Sequence, residues 1–217
     1  MTLFLESFPV GPIEANCTLL GDTESGEAAV IDPGADAPVI LERIDRAGLR
    51  VTMILHTHGH FDHAGGTADL AAALGPEVPI GLHRDELEIY EALPTQGTMF
   101  GITATPPPKP TLWLEDGMRL EIGSIEVEVR HAPGHSPGSV CLIAAGLTPP
   151  IAVVGDVLFA GSIGRTDLWG GSFPVLERSI RERLYTLPDE TRVVCGHGPE
   201  TTIGREKAGN PFVRAEE

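Results

Sequence analysis

His56-Thr57-His58-Gly59-His60-Phe61-Asp62-His63 puts four histidines and an aspartate within eight residues, in a chain of 217 residues that holds only eight histidines. A fold gains little from crowding well-hydrated, titratable side chains together. A divalent cation repays it, because neutral imidazole and carboxylate are among its preferred donors. The spacing sharpens this reading. His58 and His60 are two apart where a strand runs out, and alternate residues of extended chain point the same way. His60 and His63 are three apart where a helix begins, so they can share a face. With Asp62 between them, one short segment can supply donors to two ions.

Three further candidates stand where strands are expected to end. His135 lies in the tight turn Ala132-Pro133-Gly134-His135-Ser136-Pro137-Gly138. Asp156 follows the apolar run Ile151-Ala152-Val153-Val154-Gly155, and a carboxylate there can bridge two cations through its two oxygens. His197 sits between Gly196 and Gly198 after Val193-Val194-Cys195. A solitary histidine is more often a hydrogen-bonded structural residue. In order along the chain with the first cluster, these three point to a metal centre.

The elements that must position these residues are short. Apolar runs between Gly, Pro and acidic turns predict strands over 2–8, 16–20 and 28–31. Asp36 is a good N-cap for a helix running to Ala47, with Ile40, Ile44 and Ala47 as its inner stripe and Gly48 as its stop. A buried strand over 51–55 delivers the histidine cluster at its C-terminal end. A helix over 63–74, a strand over 78–81 and a helix over 84–93 follow. Residues 94–112 read as irregular, because Pro106-Pro107-Pro108-Lys109-Pro110 fits neither helix nor sheet; so long a loop is either a functional lid or a solvated connector. Strands are expected over 118–122, 125–129, 139–144, 151–155 and 193–195. Ser172 should cap a helix with Pro174 in its first turn and Leu176, Ile180 and Leu184 inside. A short helix over 202–208 closes the chain. Strands in both halves, each half ending in helices, suggest two face-to-face sheets with helices outside.

Composition narrows the partners. The net charge of −16 argues against nucleic acid, whose phosphates need a basic surface. Cys17, Cys141 and Cys195 are odd in number, far apart and set in apolar runs, which predicts reduced core thiols rather than a disulfide framework or a metal knuckle. The N-terminus has neither a basic region nor a long apolar one, and no run is long enough to span a membrane. A cytoplasmic protein without a membrane partner is expected.

The ordered set His58-x-His60-x-Asp62-His63, His135, Asp156 and His197 resembles the metallo-β-lactamase superfamily over nearly the whole chain. The resemblance implies an α/β fold, a four-layer αβ/βα sandwich of two mixed sheets with helices outside and the metals at one edge. It implies that His58, His60 and His135 hold one ion, that Asp62, His63 and His197 hold a second, and that Asp156 bridges them. His56 falls outside the pattern and reads as a packing residue or one that supports a ligand from behind; His83 and His131 match no ligand position and read as structural. Asp32, in Ile31-Asp32-Pro33-Gly34, resembles a position that orients a metal-binding histidine from behind. Gly161-Ser162-Ile163-Gly164-Arg165-Thr166-Asp167 resembles a loop of hydroxyacylglutathione hydrolases (glyoxalase II) and of persulfide dioxygenases. In the hydrolases a basic residue at the position of Arg165 contacts glutathione. The segments Val10-Gly11-Pro12-Ile13-Glu14-Ala15-Asn16-Cys17 and Asn210-Pro211-Phe212 resemble the short bacterial glyoxalase II-like proteins. Full-length glyoxalase II enzymes add a C-terminal helical domain that grips glutathione. Only twenty residues follow His197, so a single domain over 1–217 without that addition is expected. Arg205 and Lys207 then read as an exposed helix face.

The implied activity is hydrolysis of a small-molecule thioester, glutathione-linked as in S-lactoylglutathione or built on another thiol, by a water bridging two divalent metal ions. Zinc is the first choice of metal, with iron or manganese as alternatives. Bridging would bring the water's pKa to roughly 7, and a metal would stabilise the oxyanion. Asp62 would both ligate and orient the water or take its proton. The leaving thiolate, with a thiol pKa of about 8.5, needs little protonation to depart. The main rival is a mononuclear iron glutathione-persulfide dioxygenase using His58, His135 and Asp156 as a two-histidine, one-carboxylate triad. A lactone or other ester hydrolase and a non-catalytic binding member complete the alternatives; no ligand of the set is missing, which speaks against the last.

Overall fold

Aliphatic and β-branched runs become strands because such side chains fit a pleated, buried surface, and here they build two six-stranded sheets. The computed structural model describes residues 3–214; Thr2, the expected start of the first strand, lies outside the described residues. The chain divides into two compact units, Met1–Leu114 with Glu121–Ile125 and Glu115–Leu120 with Glu126–Glu217.

The first sheet runs in chain order through β1 (Leu3–Val10), β2 (Ala15–Asp22), β3 (Glu27–Ile31), β4 (Arg50–Leu55), β5 (Ile80–His83) and β6 (Leu112–Leu114). β1 to β3 are antiparallel, while β3 to β6 are parallel. Parallel neighbours need crossovers, and helices supply them: α1 (Ala37–Ala47), then α2 (Phe61–Ala64) with α3 (Thr67–Leu74), then a 3₁₀ turn (Arg84–Glu86) with α4 (Leu87–Glu91) and α5 (Leu93–Met99). Ile40 and Ile44 of α1 and Leu70 of α3 pack on Leu19, Val30 and Ile54 of the sheet.

Four local expectations are corrected. The helix expected over 63–74 is two, α2 and α3, separated at Gly65-Gly66. A Cβ on Gly66 would lie 2.7 Å from the Pro33 carbonyl oxygen, to which its own N–H donates at 3.0 Å. The loop after β3 presses on the chain there and ends the first helix early. Residues 94–112 are not irregular throughout: Pro94 starts α5 from its first turn, where a missing N–H is tolerated. The strand expected over 78–81 is β5, shifted to Ile80–His83. Asp36 occupies the N-cap position of α1 but does not cap it; its φ is 55°, and Oδ2 instead accepts from Gly11 N at 2.8 Å.

The second sheet takes β7 (Arg119–Ile122), β8 (Ile125–His131), β9 (Val140–Ala144) and β10 (Ile151–Gly155). Beyond the small hairpin of β11 (Leu158–Phe159) and β12 (Ser162–Ile163) come α6 (Phe173–Ser179), which continues as a wider π turn (Ile180–Leu184), β13 (Arg192–Cys195), β14 (Thr201–Thr202) and α7 (Ile203–Gly209). The sheet order is β14-β13-β10-β9-β8-β7, with β10 and β13 parallel across α6. Leu176, Ile180 and Leu184 are buried against this sheet, as their spacing predicts. Ser172 stands at the N-cap of α6 but makes no side-chain cap bond, whereas Thr202 caps α7 by accepting from Arg205 N at 3.3 Å. The hairpin β11–β12 and the strands β6 and β14, two or three residues each, are too short to show a periodic pattern in the sequence. Cys17, Cys141 and Cys195 are buried and outside any disulfide; burial pushes the Cys141 and Cys195 thiols up to about 12. No helix among the described residues is long and apolar enough to cross a membrane.

Candidate metal centre

In the first unit the candidate donors follow the C-terminal ends of two parallel neighbours, β3 and β4, the usual place for ligand sites in such sheets. Asp32 comes directly after β3 with a positive φ of 54°. This conformation turns its carboxylate back across β4. Oδ1 accepts from Thr57 N at 2.7 Å, Oδ2 accepts from Thr57 Oγ1 at 2.6 Å, and Oδ2 lies 3.1 Å from His63 Nδ1. Because the carboxylate accepts, the Thr57 hydroxyl proton is committed to it. Thr57 Oγ1 then accepts from His58 Nδ1, 3.1 Å away. One carboxylate therefore places the ring proton of both His63 and His58 on Nδ1 and leaves Nε2 of each as a lone-pair donor.

The rings are crowded. The His58 centroid is 4.3 Å from that of His63 and 4.8 Å from that of His60. Imidazole donors crowded this closely suit bound cations. Asp62 Oδ2 lies 3.7 Å from His63 Nε2. Asp62 owes its position to Gly34, where any Cβ would fall 1.6 Å from the Asp62 carbonyl oxygen. The peptide between His58 and His60 is held at Gly59 N by Glu86 Oε2 at 2.8 Å. Phe61 N donates to Gln96 Oε1 at 3.0 Å. His56 is a packing residue: its Nε2 faces Thr67 Oγ1 at 3.2 Å, its ring tilts against Tyr90, and desolvation lowers its pKa to about 4.

In the second unit three candidates converge on one oxygen. Asp156 Oδ2 lies 3.6 Å from His135 Nε2 and 3.8 Å from His197 Nε2. These separations are long for hydrogen bonds and suit each histidine sharing an ion with the carboxylate, at roughly 2.0–2.2 Å from it. His135 Nδ1 donates to the Arg165 carbonyl at 2.8 Å, which again leaves Nε2 as the lone-pair donor. The turn carrying His135 is wedged in place: a Cβ on Gly134 would lie 2.2 Å from Leu176 N, and Ser172 N donates to the Gly134 carbonyl at 2.8 Å. Gly196 N donates to the Gly155 carbonyl at 2.8 Å, so the segments leading to Asp156 and His197 stay in register. His135 is 2% exposed, Asp156 12% and His197 28%, so access is from the carboxylate and His197 side.

Arg165 presents its side chain to solvent, paired in bidentate fashion with Asp167 at 2.7 and 2.8 Å. His83 Nδ1 accepts from Asp85 N and His131 Nε2 lies 2.9 Å from the Pro137 carbonyl. Arg205 is exposed, but Lys207 ties α7 to Asp189 at 2.7 Å and to the Leu187 carbonyl. Asn210 is buried and donates to the Ser162 carbonyl, linking the closing motif to β12.

Sequence reasoning missed Thr57, Glu86 and Gln96. Glu86 had a signal: positions 86, 89, 90 and 93 form one helical stripe, and all four are buried. A carboxylate where the 3.6-residue period asks for an apolar side chain marks a group with a task. The donors as a set fit divalent metal, being imidazoles, three of them with preset tautomers, beside partly exposed carboxylates.

Comparison with known proteins agrees with this chemistry. A family model described as the metallo-β-lactamase superfamily matches residues 10–197. Hydroxyacylglutathione hydrolase GloC of Haemophilus influenzae is 38% identical over 212 residues, covering 97% of this chain and 98% of that one. The solved structure of BLEG-1, a B3 metallo-β-lactamase, matches with a TM-score of 0.88 at 37% identity, over 97% of this chain and 99% of that chain. TTHA1623, solved in a di-iron-bound form, matches with a TM-score of 0.85 at 40% identity, over 94% and 98%.

Proposed function

The chain belongs to the metallo-β-lactamase superfamily and has its α/β sandwich fold, and from that premise we propose that it is a dinuclear metal-dependent hydrolase that cleaves a small acyl-thioester such as S-lactoylglutathione. The observation that carries the reading is the preset donor chemistry: His58, His63 and His135 each have Nδ1 occupied by an acceptor, which puts the ring lone pair on Nε2. His58, His60 and His135 would hold one ion, Asp62, His63 and His197 the other, and Asp156 both. Zinc suits these donors, and the di-iron form of TTHA1623 supports two ions and admits iron. Bound there, the ions would lower the pKa of a water to roughly 7 and polarise the acyl carbonyl.

The chain's own residues do the rest. Asp62, 19% exposed and beside His63, orients the attacking water and accepts its proton. Asp32 keeps His63 aligned from behind. Arg165 exchanges its pairing with Asp167 for the anionic end of the substrate, such as a glutathione carboxylate. The name of GloC supports the thioester class. The likeness to BLEG-1 supports a second reading, hydrolysis of a β-lactam amide by the same residues. A cytoplasmic setting with no nucleic-acid or membrane partner accompanies the first reading.

Metal analysis of protein purified without added metal should give about two ions per chain. S-lactoylglutathione should release thiol, and Asp62→Ala should lower turnover by roughly 10²-fold or more, as loss of a general base does. Turnover of a chromogenic cephalosporin without thiol release would replace the first reading by the second. One iron per chain, with oxygen uptake on glutathione persulfide, would overturn both.

A further inference from the structure

We propose that Glu86 is a positioning residue for the His58–His60 donor pair, its buried carboxylate fixing Gly59, the residue between them. This rests on the reading of His58 and His60 as metal ligands. Glu86 begins the helical stripe it shares with Ile89, Tyr90 and Leu93 and has no exposed surface. An apolar side chain would serve packing there better, since a carboxylate is costly to bury. What the carboxylate adds is an acceptor for Gly59 N at 2.8 Å. Gly59 also packs directly on the same turn: a Cβ would lie 3.0 Å from Tyr90 N and 3.2 Å from both the Glu86 carbonyl and Oε2. Gly59 is thus held against this turn both by close contact and by a carboxylate acceptor. His58 precedes Gly59 and His60 follows it, so the placement of this one residue sets the angle between their rings.

The test compares full-length wild type with Glu86→Met, which keeps volume and packing but has no comparable acceptor, and with Glu86→Gln, which keeps one. Zinc affinity is read by competition with a chromophoric chelator, and stability of the metal-free protein by urea unfolding. Removing an outer-shell partner weakens metal affinity roughly 10- to 100-fold. That loss is expected for Glu86→Met, with Glu86→Gln close to wild type and cobalt-substituted spectra altered only in the Met variant. Wild-type affinity in Glu86→Met would overturn the proposal, whether or not stability changes. Equal losses in both variants would overturn the hydrogen-bond assignment. A wild-type protein that binds no zinc would undo the reading of the site itself, a separate failure. If Glu86→Met does not fold, Glu86→Ala carries the same expectation.

Discussion

Thr57 Oγ1 stands between Asp32 Oδ2 at 2.6 Å and His58 Nδ1 at 3.1 Å. The carboxylate takes the hydroxyl proton, so the hydroxyl can serve His58 only as acceptor. Thr57→Val removes that relay and leaves the buried Nδ1–H of His58 without its acceptor, yet Thr57 N still donates to Asp32 Oδ1. The fold should therefore persist at a stability cost of about 1–3 kcal/mol, while metal affinity drops roughly tenfold or more. Thr57→Ser should restore both. Unchanged chelator competition in Thr57→Val would remove the hydroxyl from the ring-orienting chain. The ligands themselves were legible in sequence because coordination demands particular residue types at close spacing. Thr57 and Gln96 were not, because any of several polar residues can supply one hydrogen bond, and only geometry shows which one does.

At the scale of elements, the break between α2 and α3 separates local propensity from tertiary demand. Residues 63–74 carry helix-forming alanines and leucines, and propensity alone favours one continuous helix. Gly66 ends that run by letting the Pro33 carbonyl approach, which keeps the Asp32–Gly34 turn against α2. Gly66→Ala pits two effects against each other. Helix propensity gains at most about 1 kcal/mol. A Cβ 2.7 Å from Pro33 O and 3.0 Å from Ala35 N meets backbone that cannot step aside, an overpacking that costs about 1–3 kcal/mol. The clash should win: a lower urea midpoint, with weakened metal binding because Asp32 and Asp62 sit on the two surfaces pushed apart. A raised midpoint would mean that the turn yields freely and does not position the site. Strand cores and the inner stripes of α1 and α6 were readable from periodicity. The onset of α5 was not, since Pro94 carries the same signal whether it breaks a helix or starts one.

Over the whole molecule, charge and long-range hydrogen bonding act in opposite directions as pH falls. With 31 acidic and 15 basic residues the chain carries −16 at pH 7, so acidification towards its isoelectric point near 4.8 first relieves self-repulsion. Below that, carboxylates that accept hydrogen bonds only when ionised are lost. Asp22 is one of them. It ends β2 and accepts from Ser124 N at 2.9 Å and Ser124 Oγ at 2.8 Å, 102 positions away, and from Glu24 N at 3.0 Å. The Ser124 bonds lead in drawing its pKa down from 3.8 to about 2. A folded-state pKa below the unfolded value means that the contribution is complete above about 3.9 and disappears as pH falls through about 2. Metal-free Asp22→Ala should accordingly show a lower urea midpoint than wild type from pH 7 down to about 4. The gap should close between pH 4 and 2, where wild type alone loses the bonds. Curves that stay parallel through that window would mean that the turn at Gly123-Ser124 is held by something other than the Asp22 carboxylate.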